Sequence, residues 1–251
     1  MARGTYSTSN YLSRTSAVKS APPLTFSCWA KASSFASIQT MLSMFYASAG
    51  AYGFTLFVNT SGTPSATLYQ ANTPYYAYAP SNMATDTWHH LVGVFASTSS
   101  RKCYIDGSVG TENTSNITLS FAPNRTAIGL FLTSNKLYPG TYATIAEAAI
   151  YDVALTADEV AQLAHGYSPL LVRPWDLLAY WPLVRGNASG DELDNIGGYT
   201  LTETGTVGVQ THVPKLILPR RPQRYMWAPA PTFSPRWVRS SHIISAGVQH
   251  A

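Results

Sequence analysis

Short strand signals recur along this chain about every 10–15 residues, each closed by Gly, Asn, Ser, Asp or Pro. Leu24–Ala30, Gln39–Phe45, Tyr52–Val58, Ala66–Gln70, Trp88–Phe95, Lys102–Asp106, Asn116–Phe121 and Arg125–Phe131 all read this way. Several alternate: in Gly53-Phe54-Thr55-Leu56-Phe57-Val58 the even positions point to one side. A chain punctuated so often cannot form long helices, and regular short strands between turn clusters predict an all-β sandwich. One helix is predicted. Thr156 can cap it, Glu159 completes a capping box, Val160 and Leu163 give an apolar stripe, and Gly166 can end it.

Trp88-His89-His90-Leu91-Val92-Gly93-Val94-Phe95 is followed by Tyr104-Ile105-Asp106-Gly107, a strand that closes on a tight Asp-Gly turn. Upstream lies Phe26-Ser27-Cys28-Trp29-Ala30-Lys31, and downstream Ile145-Ala146-Glu147-Ala148-Ala149-Ile150-Tyr151 leads into the short helix. In this order the segments resemble the laminin-G-like branch of the concanavalin A-like lectin/glucanase superfamily, over roughly residues 5–167. The resemblance implies a jelly-roll sandwich and specifies function only weakly. A second segment, Leu177-Leu178-Ala179-Tyr180-Trp181-Pro182-Leu183 with Asp191, Asp194, Gly197 and Gly198 after it, looks like the opening of such a domain. Here it comes at the end. Either the domain is rearranged, with its C-terminal strands completing the sheet that usually begins it, or the segment docks on a neighbouring subunit. The first is favoured, because residues 1–24 are too polar to supply both opening strands.

Only 11% of the residues are charged, which leaves few groups for acid–base chemistry. Residues 1–210 hold ten Lys/Arg against all twelve acids, whereas residues 211–251 hold six Lys/Arg and no acid. The second segment is also rich in Pro and in large apolar side chains, so a 1–210 sandwich carrying an extended 211–251 interaction arm is expected. Arg220, Arg221, Arg224, Tyr225, Trp227, Arg236 and Trp237 are its candidate contact residues, Arg, Trp and Tyr being enriched at interface cores. Nucleic acid is the lesser reading of the arm, since six charges over this length are few for an RNA contact. No segment has the length and apolarity of a membrane span, and the N-terminus lacks the apolar region of a signal peptide. Cys28 and Cys103 lie on predicted strands and are expected to be buried free thiols.

Candidate chemistry is sparse. Glycosidases of the superfamily use carboxylates alternating on one strand; Glu147 and Asp152, five residues apart, do not supply such a pair, and no enzyme activity is expected. His89 and His90 are adjacent on a strand and face opposite sides, so they cannot chelate one ion; one should be buried and the other partly exposed. Some domains of the family bind calcium at a rim, for which Asp191 and Asp194 with Asn195 are the best candidates, but loop acids are more often only solvated and no cofactor is expected. Tyr75, Tyr76 and Tyr78 crowd one predicted loop, where they either stack on a glycan or serve packing and subunit contact.

Taken with the arm and the missing signal segment, the resemblance implies a virion structural protein, made in a host cytoplasm, of the kind found in tailed bacteriophages. It would be a capsid decoration protein or a head or tail appendage that contacts other virion proteins and its own copies. The alternative is a carbohydrate-binding module or adhesin for surface glycans.

Overall fold

The alternating segments pair into two antiparallel sheets packed face to face, in a computed structural model that describes residues 1–48, 50–134, 137–184, 190–214 and 216–219. In chain order the strands begin with β1 (Ala2–Gly4), β2 (Tyr11–Arg14), β3 (Leu24–Ala32), β4 (Gln39–Phe45), β5 (Gly53–Val58) and β6 (Pro64–Gln70). They continue with β7 (Thr73–Tyr78), β8 (His89–Ser97), β9 (Ser100–Ile105), β10 (Ser108–Val109), β11 (Arg125–Ile128) and β12 (Leu130–Leu132). The last are β13 (Leu137–Pro139), β14 (Ala143–Tyr151), β15 (Leu177–Trp181), β16 (Thr202–Thr204) and β17 (Gly208–Gln210), and among the described residues there is one α-helix, α1 (Ala157–Ala164).

Sheet A runs β10-β9-β8-β3-β14-β1-β17, and sheet B runs β16-β2-β11-β4-β5-β6-β7. The core between them holds the residues that alternation assigns inward, among them Phe26 and Cys28 of β3, Phe54 and Leu56 of β5, and Leu91 of β8. Cys28 and Cys103 are fully buried free thiols there, and burial pushes Cys103 up to about 12. Val58, Leu68 and Ala77 extend the same apolar layer to the far edge of sheet B.

Strand β14 carries the main irregularity. One of its edges pairs with β3 on both sides of a register shift at Ala146–Ala149; the other pairs first with β1 and then with β15. Between the two partners the register shifts, and Glu147 takes a positive φ of 54°. Ala143 and Ile145 before this bulge and Ala148 and Ile150 after it all face the core. The extra residue therefore resets the alternation so that both halves keep their apolar side inward. The C-terminal strands complete both sheets of their own chain: β15 and β17 join sheet A, and β16 joins sheet B.

Sheet A is covered on its outer side as well. Val160 and Leu163 of α1 pack on Val92, Tyr104 and Tyr151, and the predicted Thr156–Glu159 capping box is present. Val213 and Leu216 lie against Ala2, Ala146 and Trp29, and Ser168 N–H donates to the Ile217 carbonyl at 2.9 Å. The compact unit accordingly runs from Met1 to Pro219. Three strand expectations change. Arg125–Phe131, expected as one strand, breaks at Gly129 (φ 74°) into β11 of sheet B and β12 of the separate β12–β13 hairpin. Asn116–Phe121 forms no strand; Ile117 N–H donates to the Thr98 carbonyl in the β8–β9 turn and Ser120 N–H to the Gln70 side chain, in place of a strand ladder. Thr73–Tyr78, expected as a loop, is strand β7.

Candidate functional site

Strand β7 is one edge of sheet B. It is created by a two-residue turn, Ala71-Asn72, whose φ values of 49° and 69° match the tight turns favoured in hairpins. Asn72 holds that turn by accepting from Ala51 N–H through its side-chain oxygen at 2.7 Å. Because the segment is a strand, its tyrosines divide by parity. Tyr75 leans on the core beside Ala77, with the Arg101 guanidinium 5.8 Å from its ring centroid. Tyr76 and Tyr78 face out. Their rings stack at 5.2 Å and 21°, and Tyr76 meets Phe57 edge-on at 5.9 Å. Burial raises the pKa of both phenols, so both are hydrogen-bond donors at neutral pH. Tyr78, 40% exposed, presents its ring to solvent.

These two rings form one wall of an open groove of about 910 Å³. The other wall is the chain from Val109 to Ser115, which leaves β10 at the edge of sheet A. Its position is fixed by buried chemistry. Arg101 donates to Asn113 Oδ1 at 2.7 Å and to the Ser115 carbonyl at 2.9 Å, while Asn113 Nδ2 donates to the Tyr76 carbonyl at 2.7 Å. Gly110 permits the close approach: a Cβ there would lie 1.8 Å from the Tyr78 carbonyl oxygen. Glu112 is the one carboxylate in the lining; it accepts from Ser100 Oγ and pairs with Lys102 at 3.3 Å. The groove is thus aromatic on one side and rich in hydroxyl, amide and backbone groups on the other.

The other expected positions are used structurally. His90 is buried, with Nε2 3.0 Å from Ser27 Oγ, and burial pushes its pKa down to about 3. His89 is half-buried. Its Nε2 accepts from Ala84 N–H at 3.1 Å and its Nδ1 lies 2.7 Å from Asp106 Oδ2. Asp106 sits at φ 48° in the Asp-Gly turn and accepts from His90 N–H at 2.8 Å. Burial works against its charge, but these hydrogen bonds outweigh it and hold the carboxyl below its ordinary range.

Asp194 accepts four backbone N–H bonds at 2.7–3.0 Å, from Tyr180, Ile196, Gly197 and Tyr199. Asp191 accepts from Glu203 N–H. Asp194 thus spends both carboxylate oxygens on backbone amides and organises the 190–201 loop, a donor set that does not fit a calcium ion. Among the described residues no three His, Cys, Asp or Glu side chains come together as a metal site.

Sequence reasoning missed two charged clusters. Arg3, fully buried, meets Glu192 at 2.9 Å and Glu203 at 3.1 Å, and donates to the Val207 carbonyl at 2.9 Å. Glu147 of the bulge receives the Tyr180 hydroxyl and lies 3.1 Å from His212 Nε2. Both clusters tie distant parts of the chain together, and local sequence carries no sign of the pairing. Arg220, Arg221, Arg224, Tyr225, Trp227, Arg236 and Trp237 lie outside the described residues.

Comparison with known proteins agrees with this architecture. Residues 5–161 match a sequence family described as the concanavalin A-like lectin/glucanases superfamily. No curated protein sequence matches the chain. Among solved structures, a proposed carbohydrate-binding protein from Bacteroides ovatus superposes with a TM-score of 0.60 at 16% identity, covering 82% of this chain and 58% of that one. A heptameric SAP-like pentraxin from Limulus polyphemus gives 0.49 at 16% identity, covering 62% and 75%. The CBM40 of a Ruminococcus gnavus sialidase, solved with sialyllactose, gives 0.48 at 14% identity, covering 59% and 85%. The family match spans more than half of the chain, and the two sheets have the arrangement it implies: the chain belongs to the concanavalin A-like lectin/glucanases superfamily, as a laminin-G-like sandwich.

Proposed function

We propose that this chain is a non-enzymatic carbohydrate-binding domain that holds a glycan in the groove between Tyr76/Tyr78 and the 109–115 wall. The observation that carries the reading is the outward Tyr76–Tyr78 stack facing a wall of hydroxyl and amide groups. A sugar offers an apolar C–H face and a rim of hydroxyls. Tyr78 complements the first, and Thr111, Thr114 and Ser115 complement the second. The wall is braced from beneath by Arg101 and Asn113, so little ordering remains for the ligand to impose. Glu112 lines the groove without a second carboxylate, which supports binding in preference to hydrolysis. Membership of a lectin-containing superfamily and the likeness to the Bacteroides ovatus protein lend the reading further support.

A glycan array identifies the ligand, and titration of the best hit into Tyr76→Ala and Tyr78→Ala tests the site. Loss of an aromatic platform should weaken binding about tenfold in Tyr78→Ala. Tyr76→Ala should act in the same direction, because Tyr76 supports the Tyr78 ring. Unchanged affinity in both variants would rule the groove out.

Attachment to a particle or to neighbouring copies is a compatible second property. It rests on the composition of residues 211–251, six basic residues and no acid among Pro and aromatic side chains. In that arrangement the sandwich faces outward from a virion and the arm supplies the anchorage.

A further inference from the structure

The opposite end of sheet B carries a second, chemically different cleft. The β12–β13 hairpin packs over the middle strand β4 through Phe131 and Tyr138, against Phe45 and Tyr69. It therefore separates the tyrosine edge from the outer face of β11, β2 and β16. There the register places Tyr11 beside Thr204 and Ser13 beside Thr202, all four facing away from the core. Arg125 points to the same side, since it alternates with Ala127 of the hairpin cluster. Arg14 closes the end: its Nε donates to Ser16 Oγ at 2.8 Å and its guanidinium lies 4.7 Å from the Tyr199 ring centroid. These groups line a cleft of about 490 Å³ with no Asp or Glu in its lining.

Among the described residues, no carboxylate pairs with Arg14 or Arg125. The one acid of β16, Glu203, turns inward to Arg3 instead. This combination is selective: hydroxyl groups and one ring suit a saccharide, and two uncompensated guanidinium forks suit a carboxylate or sulfate. We propose that this face is a binding site for an acidic saccharide, with Arg125 and Arg14 receiving its anionic group and the Ser/Thr/Tyr floor its hydroxyls. The proposal stands independently of the tyrosine groove.

Calorimetric titration of the full-length protein tests it, using trigalacturonate and lactose 3′-sulfate as acidic probes, galactotriose as the neutral one and inorganic sulfate as the bare anion. At least one acidic sugar should bind, with affinity that falls as salt is raised. Arg125→Gln and Arg14→Gln should each weaken it about tenfold while keeping the wild-type melting temperature, and Tyr78→Ala should leave it unchanged. Arg125→Lys, which keeps the charge but not the fork, should fall between wild type and Gln. Failure of both acidic sugars to bind, or equal binding of galactotriose, would overturn the proposal. So would wild-type affinity in both Arg→Gln variants. Sulfate binding as tightly as the sugars would reduce the site to a plain anion cleft, and loss of binding in Tyr78→Ala would move the ligand to the other groove.

Discussion

Two buried side chains set how individual residues control stability. His90 has an ordinary pKa of 6.5 in the unfolded chain and about 3 when folded, because burial disfavours its charged form. Between those values the unfolded chain holds the extra proton. The stability tied to His90 is therefore complete above about pH 6.5 and declines as pH falls toward 3, by at most about 1.4 kcal/mol for each unit. Asp106, held below its usual range, adds a loss of the same sign at lower pH. Urea unfolding at pH 7 and 4.5 should show this fall in the wild type and a flatter profile in His90→Gln. Arg3 makes the opposite case, a charge retained in the interior by its partners. Arg3→Ala leaves Glu192 and Glu203 facing each other without their shared cation, and should destabilise by about 3–5 kcal/mol. Equilibrium unfolding at neutral pH measures it. Alternation made it readable that one of His89 and His90 is buried, and the structure decides that it is His90. The burial of Arg3 was not readable, since its acids lie some 190 and 200 residues away.

At the scale of elements, local signals were the most legible. The Thr156–Glu159 capping box and the Asp106-Gly107 turn form where their residues predict, because each is stabilised by neighbours within a few positions. Thr156→Ala should lower stability by about 1 kcal/mol in a thermal melt. Strand β7 was missed because its turn, Ala71-Asn72, lacks the glycine that usually marks such a hairpin, and because Pro74 argues against a strand. An edge strand tolerates that proline, since among the described residues no strand pairs with the other side of β7. This one change decides the geometry of the proposed glycan site, turning three clustered tyrosines into one core ring and two outward ones. Gly110 is the matching element on the facing wall. Gly110→Ala must push that wall off Tyr78 and should lose about 1–3 kcal/mol while weakening glycan binding. A variant with wild-type melting and wild-type affinity would show that the wall can move without consequence.

For the whole molecule, the compact unit ends at Pro219, and Val213 and Leu216 lie on the outer side of sheet A. A chain ending at Pro219 should melt like the full-length protein. One ending at Gln210 should be less stable by about 2–4 kcal/mol, having exposed the shelf that Val213 and Leu216 cover. Native mass measurement of the full-length chain beside the chain ending at Pro219 then addresses assembly. If residues 220–251 join copies or anchor to a particle, the shorter chain should be monomeric and fail to attach. An oligomer that survives the truncation would place the contact on the sandwich itself.

The spacing of most strands, parity within an unbroken strand, the Asp106-Gly107 turn and the helix cap are set by contacts between near neighbours, and the sequence alone determined them together with the superfamily. What tertiary structure decided is everything that depends on which distant segments meet. The bulge at Glu147 forms where β14 changes partner from β1 to β15. Arg3 finds its carboxylates, Arg101 and Asn113 brace the groove wall, and the tyrosine and arginine faces come to opposite ends of one sheet. Such pairings follow from closing two sheets around a shared core, where long-range register chooses among side chains that local patterning leaves equivalent.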